Sequence, residues 1–261
     1  MKRLCVLAAL LIVGCGSSAS SPARADSTFV SPAASATNAI SPSPARTASP
    51  TAAPTPQPIA VDRFSQTAAD AYDSISVELR NPNADVGLVR ARFNIAVLAA
   101  DGSVITVLGE GGLPGSLVST IYQLPPGGIY GVQGTLPGKT KVDSVEFAAI
   151  DKPVDWRPLK PAVATITGPK LTLDSGFATV TGRVTLDQKG PFNVIVQAFL
   201  EGPSNGFSVV YGVVDCMDGS APRAFELLGE PPAGKGVKLS KVVAYVTTVS
   251  GAGDTQAPPG C

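Results

Sequence analysis

The chain has no histidine among its 261 residues. That removes the side chain most often used for acid–base work near neutral pH, and the commonest metal ligand. Charge is scarce as well: Lys+Arg and Asp+Glu number 20 each, and charged residues make up 15% of the chain. A balanced chain without basic clusters argues against nucleic acid as a partner, because neutralising phosphates is what supplies that affinity. Aromatic residues are 6%, with a single tryptophan. No apolar run approaches the roughly 20 residues that a membrane-spanning helix needs. No long stretch carries a helical period either. What the chain does have is 27 glycines, 24 prolines and 44% apolar residues, a composition that suits short strands and many turns.

The N-terminal stretch MKRLCVLAALLIVGCGSS opens with Lys2 and Arg3 and continues with ten residues, Leu4 to Val13, that are almost wholly apolar. This reads as a secretion signal covering residues 1–14. Ile12-Val13-Gly14-Cys15 resembles the lipobox of bacterial lipoproteins, which implies cleavage before Cys15 and lipid attachment at that residue. An ordinary signal peptide with an incidental cysteine is the alternative. Two or more acyl chains, at about 0.8 kcal/mol per buried methylene, anchor a protein stably to a membrane surface. Localisation is then the bacterial cell envelope, extracytoplasmic and membrane-anchored. Of four cysteines, Cys5 leaves with the signal and Cys15 is lipidated, so Cys216 and Cys261 remain. In an oxidising compartment an even pair reads as a disulfide, with two free thiols as the alternative.

From Gly16 to Pro58, 34 of 43 residues are Ser, Ala, Thr or Pro. Such a segment buries too little apolar surface to offset its ordering entropy. With Cys15 it forms a disordered linker, 15–58, reaching between roughly 36 Å as a coil and 130 Å stretched. Order is expected from Ile59. Val89-Arg-Ala-Arg-Phe-Asn-Ile-Ala-Val97 alternates apolar and mostly polar residues, the mark of a strand with one buried face. Similar runs are Ile75–Leu79, Val142–Ile150, Val180–Leu186, Phe192–Leu200 and Val237–Val249. Between them lie the turn signals Asn81-Pro82-Asn83, Asp101-Gly102, Pro126-Gly127-Gly128 and Asp218-Gly219. Residues 65–73 are read as at most one helical turn.

The ordered part looks duplicated. Lys141–Ile150 aligns with Lys238–Thr247, and Arg92–Gly102 more loosely with Pro191–Gly202. The expected architecture is all-β: two tandem β-sandwich units, 59–157 and 158–261, joined by a proline-stiffened connector around Asp151–Pro161. Gly229-Glu-Pro-Pro-Ala-Gly-Lys-Gly236 looks like a phosphate-binding loop but fails as one. Gly236 stands where a hydroxyl must hold magnesium, Pro231 and Pro232 delete amide donors, and a strand follows where a helix is needed. The corresponding Gly134–Thr140 keeps other fragments of the motif. Both read as hairpin turns, and no nucleotide is expected.

Glu78–Ile105, with Asn81-Pro82-Asn83, an alternating strand and Asp101-Gly102, resembles the FxLYD-type domains of bacterial lipoproteins. Those are similar to the Asn-Pro-Asn-bearing sandwiches of late-embryogenesis-abundant proteins. The resemblance covers about residues 73–150. It implies an immunoglobulin-like or fibronectin-like sandwich and supplies no catalytic residues. Read from the residues themselves, Asn81 and Asn83 cap their own turn. Asp215 and Asp218 lie close together, but calcium wants six to eight oxygens, so Asp218-Gly219 reads as a hairpin corner. Trp156 is read as packing between the units, with a stacking platform for a ligand as the alternative. Arg90 and Arg92 read as a solvated strand face or, less simply, as a patch for an acidic ligand. No catalytic residue, metal site or cofactor is expected. The functional expectation is a non-catalytic interaction or structural role, with an extracytoplasmic protein or envelope component as partner. A solute- or carbohydrate-binding lipoprotein serving a transporter or sensor is the alternative. An enzyme working with two carboxylates ranks third.

Overall fold

The computed structural model describes residues 55–68, 73–108, 120–150, 154–158, 164–219 and 221–247, all within the compact unit Ala53–Cys261. Cys15, Cys261, the signal segment and residues 16–54 lie outside the described residues.

Every regular element among the described residues except one 3-10 turn, Pro203–Asn205, is a strand. In chain order they are β1 Ala60–Ala68, β2 Asp73–Arg80, β3 Gly87–Leu98, β4 Val104–Leu108, β5 Thr120–Leu124, β6 Ile129–Leu136, β7 Ser144–Ala149 and β8 Trp156–Arg157. They continue with β9 Ala164–Asp174, β10 Phe177–Leu186, β11 Phe192–Glu201, β12 Phe207–Met217, β13 Arg223–Gly229 and β14 Lys238–Val246. All pairings are antiparallel. The all-β reading holds, and each strand read from period-two alternation is present.

Sheet β1-β2-β6 and the sheet built on β3 enclose one core. β3 carries β5 and β8 on its N-terminal half and β4 and β7 on its C-terminal half. Ile75, Val77 and Leu79 from one side meet Leu88, Phe93, Ile95 and Ile121 from the other. Each such fully buried side chain contributes about 1.5–3 kcal/mol relative to exposure. Phe93 stacks on Phe147 at 5.6 Å and meets Tyr130 edge-on at 6.4 Å. Sheets β13-β10-β9 and β12-β11-β14 enclose a second core around Val180, Val184, Val194, Val196 and Leu227. The strand orders correspond: β1-β2-β6 with β9-β10-β13, and β4-β3-β7 with β12-β11-β14. The aligned segments Lys141–Ile150 and Lys238–Thr247 supply β7 and β14, which pair with β3 and β11 respectively.

Three local readings need correction. Ser65–Ala68 belong to β1 and Asp73 to β2, so these residues are strand and not helical turn, while 69–72 lie outside the described residues; pairing with β2 satisfies the backbone of Ser65–Ala68 as strand. Gly134–Thr140, Asp218-Gly219 and Gly229–Gly236 are not hairpin corners. β6 and β7, β12 and β13, and β13 and β14 lie in different sheets, so these turns carry the chain across a core. Asp218 serves there as an acceptor for the Gly190 N–H at 3.0 Å. Trp156 is not part of a free connector: with Arg157 it forms β8, an edge strand on Gly87 and Leu88. Asp101-Gly102 is a turn as expected and closes the β3–β4 hairpin, with Asp101 Oδ1 accepting from the Ser103 N–H and hydroxyl.

Candidate functional site

β2 and β11 are buried along nearly their whole length. On β2 the residues alternating with Ile75, Val77 and Leu79 are Ser74, Ser76 and Glu78, and these too are covered. Their cover is the second half of the ordered chain, for β12 lies against β1, β2 and β6. Sheet β12-β11-β14 is therefore sandwiched. One face enters the second core, while Phe199, Phe207 and Val209 join Ile129 in a third apolar cluster.

The bonds across this seam are directional. Gln197, 2% exposed, accepts the Gly131 N–H at 2.9 Å and donates to the Gly131 carbonyl at 2.8 Å. It serves edge strand β6 as a neighbouring strand would. Gly131 is required by close approach: a Cβ there would lie 2.4 Å from a Val209 methyl. The Tyr245 hydroxyl donates to the Ile129 carbonyl, and the Phe207 N–H donates to Ser65 Oγ at 3.2 Å. Burial raises the pKa of both Tyr245 and Tyr130.

At the margin of the seam, Arg63 donates to Glu78 at 2.8 Å and reaches Glu201 at 3.5 Å. Its guanidinium lies 4.3 Å over the Phe207 ring, a geometry that attracts a cation to the ring face. Ser240 donates to Glu201 at 2.9 Å. Arg80 pairs with Asp62 at 2.5 Å and lies 3.9 Å from Glu78. The hydrogen bond from Arg80 holds the Asp62 carboxyl below its ordinary pKa. Glu78 is thus a buried carboxylate flanked by two guanidinium groups, the condition under which a charge is kept away from water. A groove of about 450 Å³ runs beside this network, lined by Val61, Asp62, Arg63, Phe64, Ser144 and Val145. It lies between β1 and β7, where a bulge falls between Val61 and Arg63.

A second built feature is the Asn81-Pro82-Asn83 turn. Asn81 is fully buried. Its Oδ1 accepts the Asn83 N–H at 3.0 Å and Asn83 Nδ2 at 2.9 Å. Its own Nδ2 donates to Val86 O at 2.9 Å and Pro125 O at 3.0 Å. The self-capped turn read from the sequence is present. It also pins the β2–β3 loop to the β5–β6 loop.

Of the residues singled out as ligand candidates, Arg90 and Arg92 are exposed on the part of β3 that pairs with β5. A left-handed φ of 40° at Arg90 breaks the alternation, so Leu88 and Ala91, three apart, both enter the first core. Trp156 packs half-buried against that same core. β3 therefore carries both arginines and pairs with the β8 strand that carries the tryptophan, whose ring is spent on packing while both arginines are exposed. Cys216, also at positive φ, lies near the end of β12 and donates its N–H to Asn193 Oδ1 at 3.1 Å. Among the described residues, no three His, Cys, Asp or Glu side chains gather as metal ligands.

Sequence reasoning missed Gln197, Gly131, Arg63 and Glu78. Gln197 did leave a signal: it is the one polar residue in Val194–Leu200, where the positions between the alternating apolar residues are filled by Ile195 and Phe199. Such runs belong to strands covered on both faces, where a polar side chain needs a partner.

No known protein family matches the chain, and no curated protein does. Among solved structures, it is similar to the C-terminal globular domain of an oligosaccharyltransferase from Pyrococcus abyssi. The identity is 11% and the TM-score 0.22, over 73% of this chain and 48% of that one. The chain thus spans about half the length of that structure, and a likeness this low carries no argument about function.

Proposed function

We propose that the chain is a lipid-anchored, extracytoplasmic protein of the bacterial cell envelope. In this reading residues 59–157 and 158–261 are tandem immunoglobulin-like or fibronectin-like units of FxLYD type, carried on the 15–58 linker, with a non-catalytic interaction or structural role. Cys15 bears the lipid, and a Cys216–Cys261 bridge ties the C-terminal segment to β12. The observation that carries the role is the seam. A sheet covered on both faces and pinned by the Gln197–Gly131 pair makes a stiff body, which suits holding or presenting a partner at a distance from a membrane. The charged side chains nearest the groove, Asp62 and Arg63, are already engaged with Arg80 and Glu78.

The test is mild crosslinking of the intact protein in its own membrane, followed by pull-down and metabolic labelling with palmitate. A defined protein partner and label lost in Cys15→Ala are the expected results. Co-purified glycan or solute without a protein partner would replace this role with solute binding. Label that is absent from the wild type would remove the anchor from the account.

A further inference from the structure

Just before β1 the chain reads Thr55-Pro-Gln-Pro-Ile59. Proline carries no N–H, so between Pro56 and Pro58 the only backbone donor is that of Gln57. Asn83 takes it: Oδ1 accepts the Gln57 N–H at 2.8 Å, and Nδ2 donates to the Gln57 carbonyl at 2.9 Å. One carboxamide thereby grips both polar atoms of a single residue's backbone, as an adjoining strand does. Asn83 cannot follow that residue if it moves. Its N–H and Nδ2 both bond Asn81 Oδ1, and its carbonyl accepts the Gly127 N–H at 2.9 Å. Asn81 in turn is tied to Val86 and Pro125. Two residues past the grip, Ile59 is buried in the first core. Then β1 begins, among the described residues an edge strand paired only with β2, whose first rung is Ala60 against Arg80.

We infer that the Asn81–Asn83 socket is a clasp that fixes where the N-terminal segment joins the folded body, so that tension on that segment falls on Asn83 before it reaches β1. Without it, tension would act directly on the Ala60–Arg80 end of an edge ladder, whose other side carries no paired strand among the described residues. The clasp is read from the hydrogen bonds alone; its service as a tether joint rests on the membrane-anchored reading proposed above. The carboxamide is needed in full, since an aspartate keeps the acceptor and loses the donor.

Hydrogen exchange on the full-length protein tests the grip. The Gln57 amide is expected to exchange at least about tenfold more slowly in the wild type than in Asn83→Ala, with Asn83→Asp between them, while Val77 and Ile95 keep their protection as folding controls. Pulling from the N-terminus in a single-molecule experiment tests the load. The first rupture force should fall in Asn83→Ala. It should fall in Gln57→Pro as well, by less than in Asn83→Ala because the residue 57 carbonyl still accepts from Asn83 Nδ2; this variant removes the gripped N–H at an exposed position and leaves the socket intact should Asn83→Ala fail to fold. A Gln57 amide exchanging at the unprotected rate in the wild type overturns the clasp, as does an unchanged first rupture in Gln57→Pro. Failure of palmitate to label the protein would instead remove the tether and leave the exchange result standing.

Discussion

Replacing Gln197 by leucine isolates the seam from the two cores. Leucine has a similar size and keeps the apolar contacts of its neighbours Phe199 and Val209, but it cannot serve Gly131. The mutation strands one N–H and one carbonyl at a buried position. An unsatisfied buried backbone group costs about 1–3 kcal/mol, so the pair costs about 2–6 kcal/mol. The better burial of a leucine side chain returns about 1.5–3 kcal/mol at most. A net loss of about 0.5–3 kcal/mol remains. At about 2–4 °C per kcal/mol for an ordered region of 150–250 residues, Tm should fall by about 1–12 °C. Differential scanning calorimetry of wild type and variant at equal concentration measures it. Gln133→Leu, at a half-buried position of β6, is the control and should stay within about 0.5 kcal/mol of wild type. If Gln197→Leu melts within 1 °C of wild type, the seam does not couple the halves and the stiff-body argument fails.

Other consequences follow from the same packing. Gly131→Ala forces a methyl to within 2.4 Å of Val209 and should cost about 1–3 kcal/mol by overpacking, seen as a lower urea midpoint. Ser208 Oγ is buried without a hydrogen-bond partner, so Ser208→Ala should raise stability by about 1 kcal/mol in the same assay. Burial raises the pKa of Tyr130 and Tyr245 above the unfolded value of about 10. A raised folded pKa stabilises the fold fully below the unfolded value and less as pH climbs past it. Stability should therefore decline above about pH 10, and tyrosinate absorbance should rise together with unfolding; Tyr245→Phe should weaken that pH dependence. If Cys216 and Cys261 are bridged, reduction should cost about 4 kcal/mol in the chain-entropy model for a loop of about 45 residues, and maleimide labelling should require reductant.

Alternation in Ile75–Leu79, Val89–Val97 and Val180–Leu186 was enough to establish extended strands with an apolar side, because the side-chain period of a strand is a local property. The self-capped Asn81–Asn83 turn was equally legible, since its acceptor and donors lie two residues apart. The Ser/Ala/Thr/Pro-rich segment before Ile59 is read from composition alone, residues 16–54 lying outside the described residues, and at its end Gln57 is held by Asn83. Which sheet a strand joins is not local. Gly-rich turns at Asp218-Gly219 and Gly229–Gly236 suit a hairpin or a crossing equally well, and only closure of the second core selects the crossing. Nor could alternation tell that Ser74, Ser76 and Glu78 would be covered, because their cover is contributed by β12, far along the chain. Gln197 finds Gly131 across 66 residues, and Arg63 finds Glu201 across 138. The sequence by itself determined the strands and their apolar faces; tertiary packing alone decided what lies against the other faces, since a polar face is indifferent to its neighbour until a complementary one is brought to it.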